Sequence, residues 1–443
     1  MKVLFATPEA APLVKTGGLG DVSGALPAAL RREGIDVRLL MPGYPSVLTY
    51  AAGRSEVVAE LDLPPFPRAT LLATTMPDGV PLYVLACDPL FDRPGGPYLQ
   101  PAGGDWPDND IRFALLSRAA ATLSHETSPL EWRPDVLHCN DWQTGLAPTY
   151  LDVLGGVRAR TVLTIHNLAY QGLCPPEVLP RLGLPWDVYR MDGVEYHGHV
   201  SFLKGGLQMT DRITTVSPGY AREIQHEPLG FGLQGLLSWR ARDLVGILNG
   251  IDTTIWDPAN DPLIPRRYRA DTLPRKDDNR AALREYFALD ATPKVPVVGI
   301  VSRLVPQKGF DLLLGCADEA MALGMQLAVL GSGDVATETA FRALESRYPG
   351  SVGVRTGFDE RLSHLVEAGA DLFLMPSRFE PCGLNQMYSQ RYGTPVVARA
   401  TGGLADSIVD ATPETVAAGT GTGFMFADRS EERRVGKECR MPC

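Results

Sequence analysis

Short apolar runs, rich in β-branched residues and bounded by turn residues, recur along the whole chain. KVLFAT at 2–7, DVRLLMP at 36–42 and VPVVGIVS at 295–302 are examples. Runs that are apolar on both faces are typical of parallel strands covered by helices on each side. Helical spacing occurs between such runs, over 110–123, 309–323 and 360–368. The pattern predicts an α/β fold with two Rossmann-like, doubly wound domains.

Chain length supports two domains, because 443 residues exceed the roughly 250–300 at which single hydrophobic cores stop growing. We predict an N-terminal domain over 1–243 and a C-terminal domain over 244–429, facing each other across a hinged cleft. The Pro- and Asp-rich stretch 256–280 is predicted to be a surface excursion. The last residues, 430–443, have no apolar stripe and are predicted to be an atypical, disordered tail on a truncated C-terminus.

Composition excludes several classes of protein. The net charge of −10 argues against nucleic acid or an anionic membrane as a partner. There is no run of about 18 apolar residues to span a membrane, and the short apolar run Val3 to Ala6 is a buried strand and not a secretory signal. A cytoplasmic protein is therefore predicted. The seven cysteines contain no CxxC pair and predict neither a zinc site nor a disulfide framework.

The hexapeptide Thr-Gly-Gly-Leu-x-Asp occurs at 16–21 and again at 401–406. A dinucleotide-binding loop is disfavoured, because the first strand ends near Thr7 and the glycines begin only at Gly17. The P-loop pattern GxxxxGK[ST] is absent. Chance repetition stays open, but we interpret the repeats as two helix starts, one per domain, that offer N–H groups to an anion. Only seven of the 42 basic residues are lysines, and three of them adjoin or nearly adjoin glycines: Lys15, Lys204 and Lys308.

Nine motifs, in chain order, resemble those of bacterial glycogen (starch) synthases: KTGGLGDV, DNDIRFALL, HCNDWQTGL, TIHNLAYQG, SFLKGGLQMTDRITTVSPGYAREI, NGIDTTIWDP, VSRLVPQKG, SRFEPCGLNQMY and ATGGLAD. Members of this family are retaining glucosyltransferases with the two-domain GT-B fold. The resemblance implies transfer of glucose from ADP-glucose to the non-reducing end of an α-1,4-glucan such as glycogen. It also implies that no metal or organic cofactor takes part.

The resemblance assigns catalytic contacts to five residues: Lys15, His166, Arg303, Lys308 and Glu380. Arg303 and Lys308 match the family's diphosphate contacts, and fixed cations stabilise a departing diphosphate without reorganising. Glu380 matches the glutamate that binds the donor sugar's hydroxyls. His166 matches a histidine near the reacting carbon, and Lys15 is expected to approach the donor from the opposite domain.

Further residues follow from the same motifs. Phe358 stands where family members often have tyrosine, so stacking on adenine would survive and a hydroxyl would be lost. Cys382 is predicted to line the site without acting as a nucleophile, and Trp142 to offer a stacking face to a glucose ring. The donor-binding set is Gly18, Asn249, Gln307, Phe358, Cys382, Gly383, Leu384, Thr401 and Gly402. The acceptor-side set is Asp21, Asn140, Asp141 and Trp142, and no metal ligand is predicted.

The absence of a second carboxylate from the donor-side motifs predicts the mechanism. A retaining glycosidase needs two carboxylates about 5–5.5 Å apart, one of them the nucleophile. The motifs supply only Glu380 on the donor side, so we predict a same-face displacement in which the leaving diphosphate deprotonates the incoming hydroxyl. Two alternatives are an NAD-type dehydrogenase, which the loop details oppose, and a catalytically weak or inactive glucan-binding remnant that lacks its C-terminal helices.

Overall fold

The computed structural model describes residues 1–291 and 294–427. It divides into two compact units. Unit 1 comprises Met1–Val216 and Ala221–Ile247, and unit 2 comprises Ser217–Tyr220 and the chain from Leu248 onward. Each unit is α/β, which confirms the predicted fold class. The predicted tail at 430–443 lies outside the described residues.

The main sheet of unit 1 has the order β12-β11-β7-β6-β1-β2-β5-β4-β3 over the described residues. Its strands are β1 Lys2–Ala6, β2 Asp36–Pro42, β3 Glu56–Leu61, β4 Ala69–Thr75, β5 Pro81–Ala86, β6 Val136–Asn140, β7 Arg160–Ile165, β11 Arg212–Thr215 and β12 Leu244–Gly246. A small second sheet consists of β8 Leu173–Cys174, β9 Glu195–Tyr196 and β10 His199–Ser201. Apart from the antiparallel pairs β3–β4 and β4–β5, the main sheet is parallel.

The sheet of unit 2 is parallel throughout its described strands, with the order β15-β14-β13-β16-β17-β18. The strands are β13 Val297–Leu304, β14 Gln326–Gly333, β15 Val352–Thr356, β16 Leu372–Met375, β17 Val396–Arg399 and β18 Gly423–Phe426. Numbered within the unit this order is 3-2-1-4-5-6, as in dinucleotide-binding Rossmann folds. The winding direction reverses between β13 and β16, and in unit 1 between β1 and β6. Loops that leave neighbouring strands at such a reversal diverge and make room for a ligand.

Helices cover the sheets. In unit 1 and its return segment they are α1 Gly18–Arg32, α2 Pro45–Ala51, α3 Asp88–Phe91, α4 Asn109–Leu123, α5 Ala147–Leu154, α6 Phe202–Met209, α7 Pro218–Glu223 and α8 Gln234–Trp239. The remaining described helices are α9 Lys276–Phe287, α10 Phe310–Gly315, α11 Ala317–Ala322, α12 Val335–Arg347, α13 Glu360–Gly369, α14 Asn385–Arg391, α15 Gly402–Ser407 and α16 Pro413–Ala417. None of the helices in the described ranges has both the length and the hydropathy to cross a membrane.

The structure differs from the sequence expectations in four places. β12 pairs with β11 in the first sheet, although the predicted boundary after residue 243 assigned it to the second domain. The helix predicted over 309–323 is broken at Cys316 into α10 and α11. The hairpin β3–β4, with a bulge between Val57 and Ala59, was not predicted. The stretch predicted as a surface excursion buries Trp256, Tyr268 and other side chains in a hydrophobic cluster.

Candidate active site

A buried carboxylate lies under the first Thr-Gly-Gly loop of unit 1. Glu9 follows β1 and is 3% exposed. Its Oε2 accepts the backbone N–H of Thr16 at 2.5 Å, and the Thr16 hydroxyl and the Tyr98 hydroxyl donate to its carboxylate at 2.9–3.0 Å. Burial raises the pKa of Glu9, and the Thr16 and Tyr98 hydrogen bonds oppose the rise. Glu9 therefore fixes the shape of the loop that carries Lys15, and sequence reasoning missed it.

Lys15 and Asp21 form an ion pair at the start of α1. Lys15 Nζ lies 2.7 Å from Asp21 Oδ1, and the two side chains are 26% and 23% exposed. The helix begins at Gly18, and a Cβ at Gly20 would lie 3.2 Å from the Glu9 carboxylate. The structure therefore brings together a predicted catalytic residue and a predicted acceptor-side residue. An anion that binds Lys15 would compete with Asp21 for the ammonium group.

Asn140, Asp141 and His166 meet where β6 and β7 end. His166 Nε2 lies 3.0 Å from Asn140 Oδ1, while Asn140 Nδ2 donates to the carbonyl of Ala6 at 3.0 Å. The amide nitrogen is thus committed to Ala6, so Asn140 Oδ1 accepts and His166 Nε2 carries the proton. Burial, assisted by nearby His138, lowers the pKa of His166 to about 3. His166 is therefore a neutral imidazole at physiological pH.

Asp141 is held in an uncommon backbone conformation, with φ 57° and ψ −173°. Its Oδ1 accepts the backbone N–H groups of His166 at 2.7 Å and Asn167 at 3.3 Å. Burial raises the pKa of Asp141 to about 7; the two N–H bonds oppose this rise and the charge of Glu9 adds to it. A strained, over-determined residue of this kind is typical of a functional site.

Replacing Asp141 with asparagine is expected to stabilise the protein in a pH-dependent way. The raised pKa means that the folded state binds more protons than the unfolded chain between pH 4 and 7, so the wild type loses stability as pH rises through that window. Asparagine keeps an oxygen for both N–H groups and does not titrate. Its advantage in free energy of unfolding should grow between pH 4 and 7, reach roughly 2–4 kcal/mol, and then level off. Urea unfolding at pH 4.5, 6 and 8 measures it, and a pH-independent difference would contradict the assignment.

Trp142 follows Asp141 and is partly buried. Its ring makes edge contacts with Phe113 and Phe202, at centroid distances of 5.1 and 5.9 Å. A Cβ at Gly172, whose φ is +62°, would lie 2.3 Å from Trp142 Cε3. Much of the indole is thus packed inside unit 1, and the predicted stacking on a glucose ring stays a prediction.

In unit 2, Lys308 and Glu380 form an ion pair at the strand-order reversal. Lys308 Nζ lies 2.6 Å from Glu380 Oε2, and the side chains are 17% and 7% exposed. The Ser377 hydroxyl donates to the same oxygen at 2.8 Å. Lys308 belongs to the loop after β13 and Glu380 to the loop after β16. Two neighbouring parallel strands therefore bring together residues that are far apart in sequence.

Backbone contacts hold these two loops together. The N–H of Arg378 donates to the carbonyl of Gln307 at 2.8 Å, and Gln307 Nε2 donates to the carbonyl of Phe379 at 3.3 Å. Gly309, with φ +69°, approaches so closely that a Cβ would lie 2.1 Å from the Pro376 carbonyl oxygen. Arg303 lies near the end of the same β13 strand with its side chain exposed. Arg303, Gln307 and Lys308 thus share one strand end.

Cys382 is buried, and Asn249 lies beside its thiol. Burial raises the pKa of Cys382 to about 12, although the backbone and side chain of Asn249 oppose the rise. The thiol is therefore protonated at neutral pH, as expected for a lining residue and not for a nucleophile. Gly383, with φ +73°, and Leu384 lead from it into α14.

The second Thr-Gly-Gly loop packs directly on the loop of Glu380. Thr401 is buried and precedes α15, which begins at Gly402 with φ +44°. The N–H of Gly403 donates to the carbonyl of Glu380 at 3.0 Å. A Cβ at Gly403 would lie 2.2 Å from the carbonyl oxygen of Cys382. Gly403 in the second copy of the repeat therefore allows the backbone at the start of α15 to lie in contact with the backbone of the Glu380 loop.

Two residues stand apart from these clusters. Phe358 follows β15, which β14 separates from β13, and its side chain is 74% exposed. Its stacking on adenine stays a prediction. Lys204 precedes two glycines in the sequence. Its Nζ donates to the carbonyls of Met191 at 2.6 Å and Gly193 at 3.0 Å. Lys204 therefore anchors a loop of unit 1.

Across residues 1–291 and 294–427, no group of three or more His, Cys, Asp or Glu is arranged to hold a metal ion.

Comparisons with known proteins identify the class of enzyme to which the chain belongs. Residues 284–435 match the family described as Glycosyl transferases group 1, and residues 2–239 match Starch synthase catalytic domain. The sucrose-phosphate synthase of Thermosynechococcus elongatus shares the fold, with a TM-score of 0.55 at 17% identity over 97% of this chain and 86% of that one. Two Rossmann-like units with these matches define a GT-B glycosyltransferase.

Closer relatives narrow the class. The glycogen synthase of Nitrosomonas eutropha is 53% identical over 437 residues, covering 98% of this chain and 87% of the relative. That of Dechloromonas aromatica is 54% identical over 96% of this chain and 87% of the relative. The catalytic domain of Starch Synthase IV from Arabidopsis thaliana, solved bound to ADP and acarbose, has a TM-score of 0.82 at 33% identity and covers 97% and 89% of the two chains. The chain belongs to the glycogen and starch synthase family of hexosyltransferases.

The predicted family, fold and enzyme class are thereby confirmed. The alternative of an inactive remnant has no support in these comparisons. The roles assigned to individual site residues are not tested by them and stay predictions.

Proposed function

We propose that this chain transfers glucose from ADP-glucose to the non-reducing end of an α-1,4-glucan with retention of configuration. The observation that carries the proposal is the Lys308–Glu380 pair at the strand-order reversal of unit 2, with Arg303 at the same strand end. The choice of a glucan as acceptor rests on the relatives' name, glycogen synthase. The choice of ADP as the nucleotide rests on the ADP bound in the Arabidopsis structure. A cytoplasmic location is part of the same proposal.

The cationic side chains and the carboxylate of unit 2 have different proposed roles. Arg303 and Lys308 would bind the diphosphate and stabilise the charge that accumulates on it as it leaves. Glu380 would accept hydrogen bonds from the sugar hydroxyls while its ion pair with Lys308 fixes its position. Because the protein groups supply this positive charge, the proposed reaction needs no resident metal, and activity should persist in a chelator.

In unit 1, His166 is proposed to accept a hydrogen bond from a sugar hydroxyl at Nδ1, since its Nε2–H is directed at Asn140, and not to act as a proton shuttle, because its imidazole stays neutral. Asp21, Asn140 and Asp141 are proposed to bind the acceptor. With Glu380 assigned to sugar hydroxyls, we propose the same-face displacement. In it the bond from the anomeric carbon to the diphosphate breaks, the glucan oxygen bonds to that carbon, and its proton passes to the diphosphate.

Transfer of labelled glucose from ADP-glucose and from UDP-glucose onto glycogen tests the proposal, with Glu380→Ala as the control. Product from ADP-glucose that is absent with the control is the expected result, and α-amylase should release the label. Equal product from UDP-glucose would overturn the nucleotide assignment. No product from either donor, with glycogen still bound, would overturn the activity. A glucosyl group trapped on the protein would overturn the proposed displacement.

A further inference from the structure

A segment without helix or strand, residues 249–268, is fastened to unit 2 by buried side chains. Trp256 is 7% exposed, Asp261 1% and Tyr268 3%. Irregular segments normally run over the surface with their side chains in water. The burial here requires a specific set of partners, and those partners lie on α13, on α14 and at Tyr392, the residue that follows α14.

Trp256 is sandwiched between two rings. The His364 ring lies 3.9 Å from it at an interplanar angle of 14°, and the Tyr388 ring lies 3.7 Å from it at 10°. Two parallel rings this close to one indole cannot occupy the same face, so they cover its opposite faces. His364 belongs to α13 and Tyr388 to α14. The indole therefore joins two helices that follow different strands.

Asp261 accepts a set of hydrogen bonds beside the stacked rings. Its Oδ2 accepts from His364 Nδ1 at 2.8 Å and from the Tyr392 hydroxyl at 2.6 Å, and its Oδ1 accepts the N–H of Leu263 at 2.8 Å. The Tyr268 hydroxyl donates to the carbonyl of Tyr392 at 2.7 Å. Burial acts to raise the pKa of Asp261, but the hydrogen bonds from His364, Tyr392 and Leu263 outweigh it and the pKa lies below its ordinary value.

His364 takes part in both interactions. Asp261 binds its Nδ1, so that nitrogen carries the proton, and Nε2 is buried without a hydrogen-bond partner among the described residues. The imidazole thus offers a flat face to Trp256 and one N–H to Asp261.

The same segment begins at the predicted donor loop. Asn249 lies beside the Cys382 thiol, and Cys382 lies three residues before α14, the helix that carries Tyr388. The segment therefore touches this loop-and-helix unit twice, at Cys382 through Asn249 and at Tyr388 through Trp256. Movement of Trp256 would be transmitted to both ends of that unit.

We propose that Trp256, Asp261 and His364 form a clamp of positioning residues that holds Asn249 against Cys382 and so keeps the donor loop in its binding shape. This inference rests on the proposed function, because it takes the loop from Glu380 to Leu384 as the binding site for the nucleotide sugar. The clamp residues themselves need not touch substrate. Their effect is exerted through Asn249 and α14.

The test uses Trp256→Leu and a pair of variants that separate the two interactions of His364. His364→Phe keeps a ring to stack and loses the donor to Asp261, whereas His364→Asn keeps a donor and loses the ring. Leu344→Ala is the control, because Leu344 lies in the buried cluster beneath α12, in its last turn, and that turn leads to the amino end of β15. It removes core packing from unit 2 without touching the clamp.

Two readouts are needed. Iodoacetamide labelling of Cys382, followed by mass spectrometry without substrate, is expected to quicken about tenfold in Trp256→Leu and less in the His364 pair, because local opening exposes the thiol. The KM for ADP-glucose should rise about tenfold while the KM for glycogen stays unchanged. In Leu344→Ala both should stay within about twofold of the wild type at a temperature where the protein is folded.

Labelling of Cys382 in Trp256→Leu no faster than in Leu344→Ala would overturn the clamp. Faster labelling with an unchanged KM for ADP-glucose would overturn its role in positioning the donor loop. Since labelling needs no substrate, a chain that transfers glucose from neither nucleotide sugar but labels faster in Trp256→Leu would refute the proposed function and leave the clamp standing.

Discussion

Replacing Lys308 with methionine is expected to lower kcat/KM for ADP-glucose about 10²–10³-fold, the usual cost of one preorganised charge at a transition state. Methionine removes the ammonium group that lies 2.6 Å from Glu380 Oε2. It also leaves a carboxylate that is only 7% exposed without its cation. Removing one partner of a buried pair costs about 3–5 kcal/mol of stability, so part of the loss could arise from misfolding.

A double variant separates the two causes. Lys308→Met combined with Glu380→Gln removes both charges, and the free energy of unfolding should return to within about 1–2 kcal/mol of the wild type. Catalysis should not return, because neither the cation for the diphosphate nor the carboxylate for the sugar is restored. Steady-state transfer assays and urea unfolding of both single variants and the double variant measure this. Recovery of activity together with stability would show that the pair has only a structural role.

Gly403→Ala is expected to be the most damaging small substitution in the second repeat. The added methyl would lie 2.2 Å from the Cys382 carbonyl oxygen and 2.4 Å from its Cα, and these backbone atoms cannot move aside as a side-chain end can. We expect a loss of about 3 kcal/mol in the free energy of unfolding, at the upper end of overpacking costs. The displaced Glu380 loop should reduce transfer about 100-fold or more, because 1 Å of misplacement can cost that much.

A glycine of the first repeat, one position before the equivalent of Gly403, provides a control. Gly17 has extended backbone with φ −168°, and a Cβ there meets no described atom within 4 Å. Gly17→Ala should therefore change the free energy of unfolding by less than about 0.5 kcal/mol. Thermal and urea unfolding of the two variants make the comparison. Equal losses in both would mean that the contact of Gly403 with the Cys382 backbone is not the cause of the damage.

The sheets could be predicted because their signal is local. A strand buried on both faces is apolar along its length, and Val297 to Ile300 or Val3 to Ala6 shows this in four consecutive residues. The β3–β4 hairpin has no such signal, because its strands are half-exposed and joined by a proline-rich loop. Its existence depends on pairing with β5.

The site was predictable only where motif and chain neighbourhood coincide. The role of Glu9 was not predicted because Tyr98, which donates a hydrogen bond to it, lies 89 residues away in the sequence. Asp261 gave a misleading signal, since aspartate and proline suggest a surface stretch. Its partners His364 and Tyr392 lie 103 and 131 residues further along the chain. A buried charge can be recognised only once its distant partners are known.

The two ends of the large sheet in unit 1 also affect how the protein behaves at high concentration. A straight, uncovered end strand offers its N–H and C=O groups to any other chain and invites fibrous aggregation. At one end β12 pairs over only three residues. At the other, β3 is bent by its bulge and carries Glu56 and Glu60, whose charges would repel an identical strand. The sheet thus ends, on both sides, in a form that disfavours growth by addition of further copies.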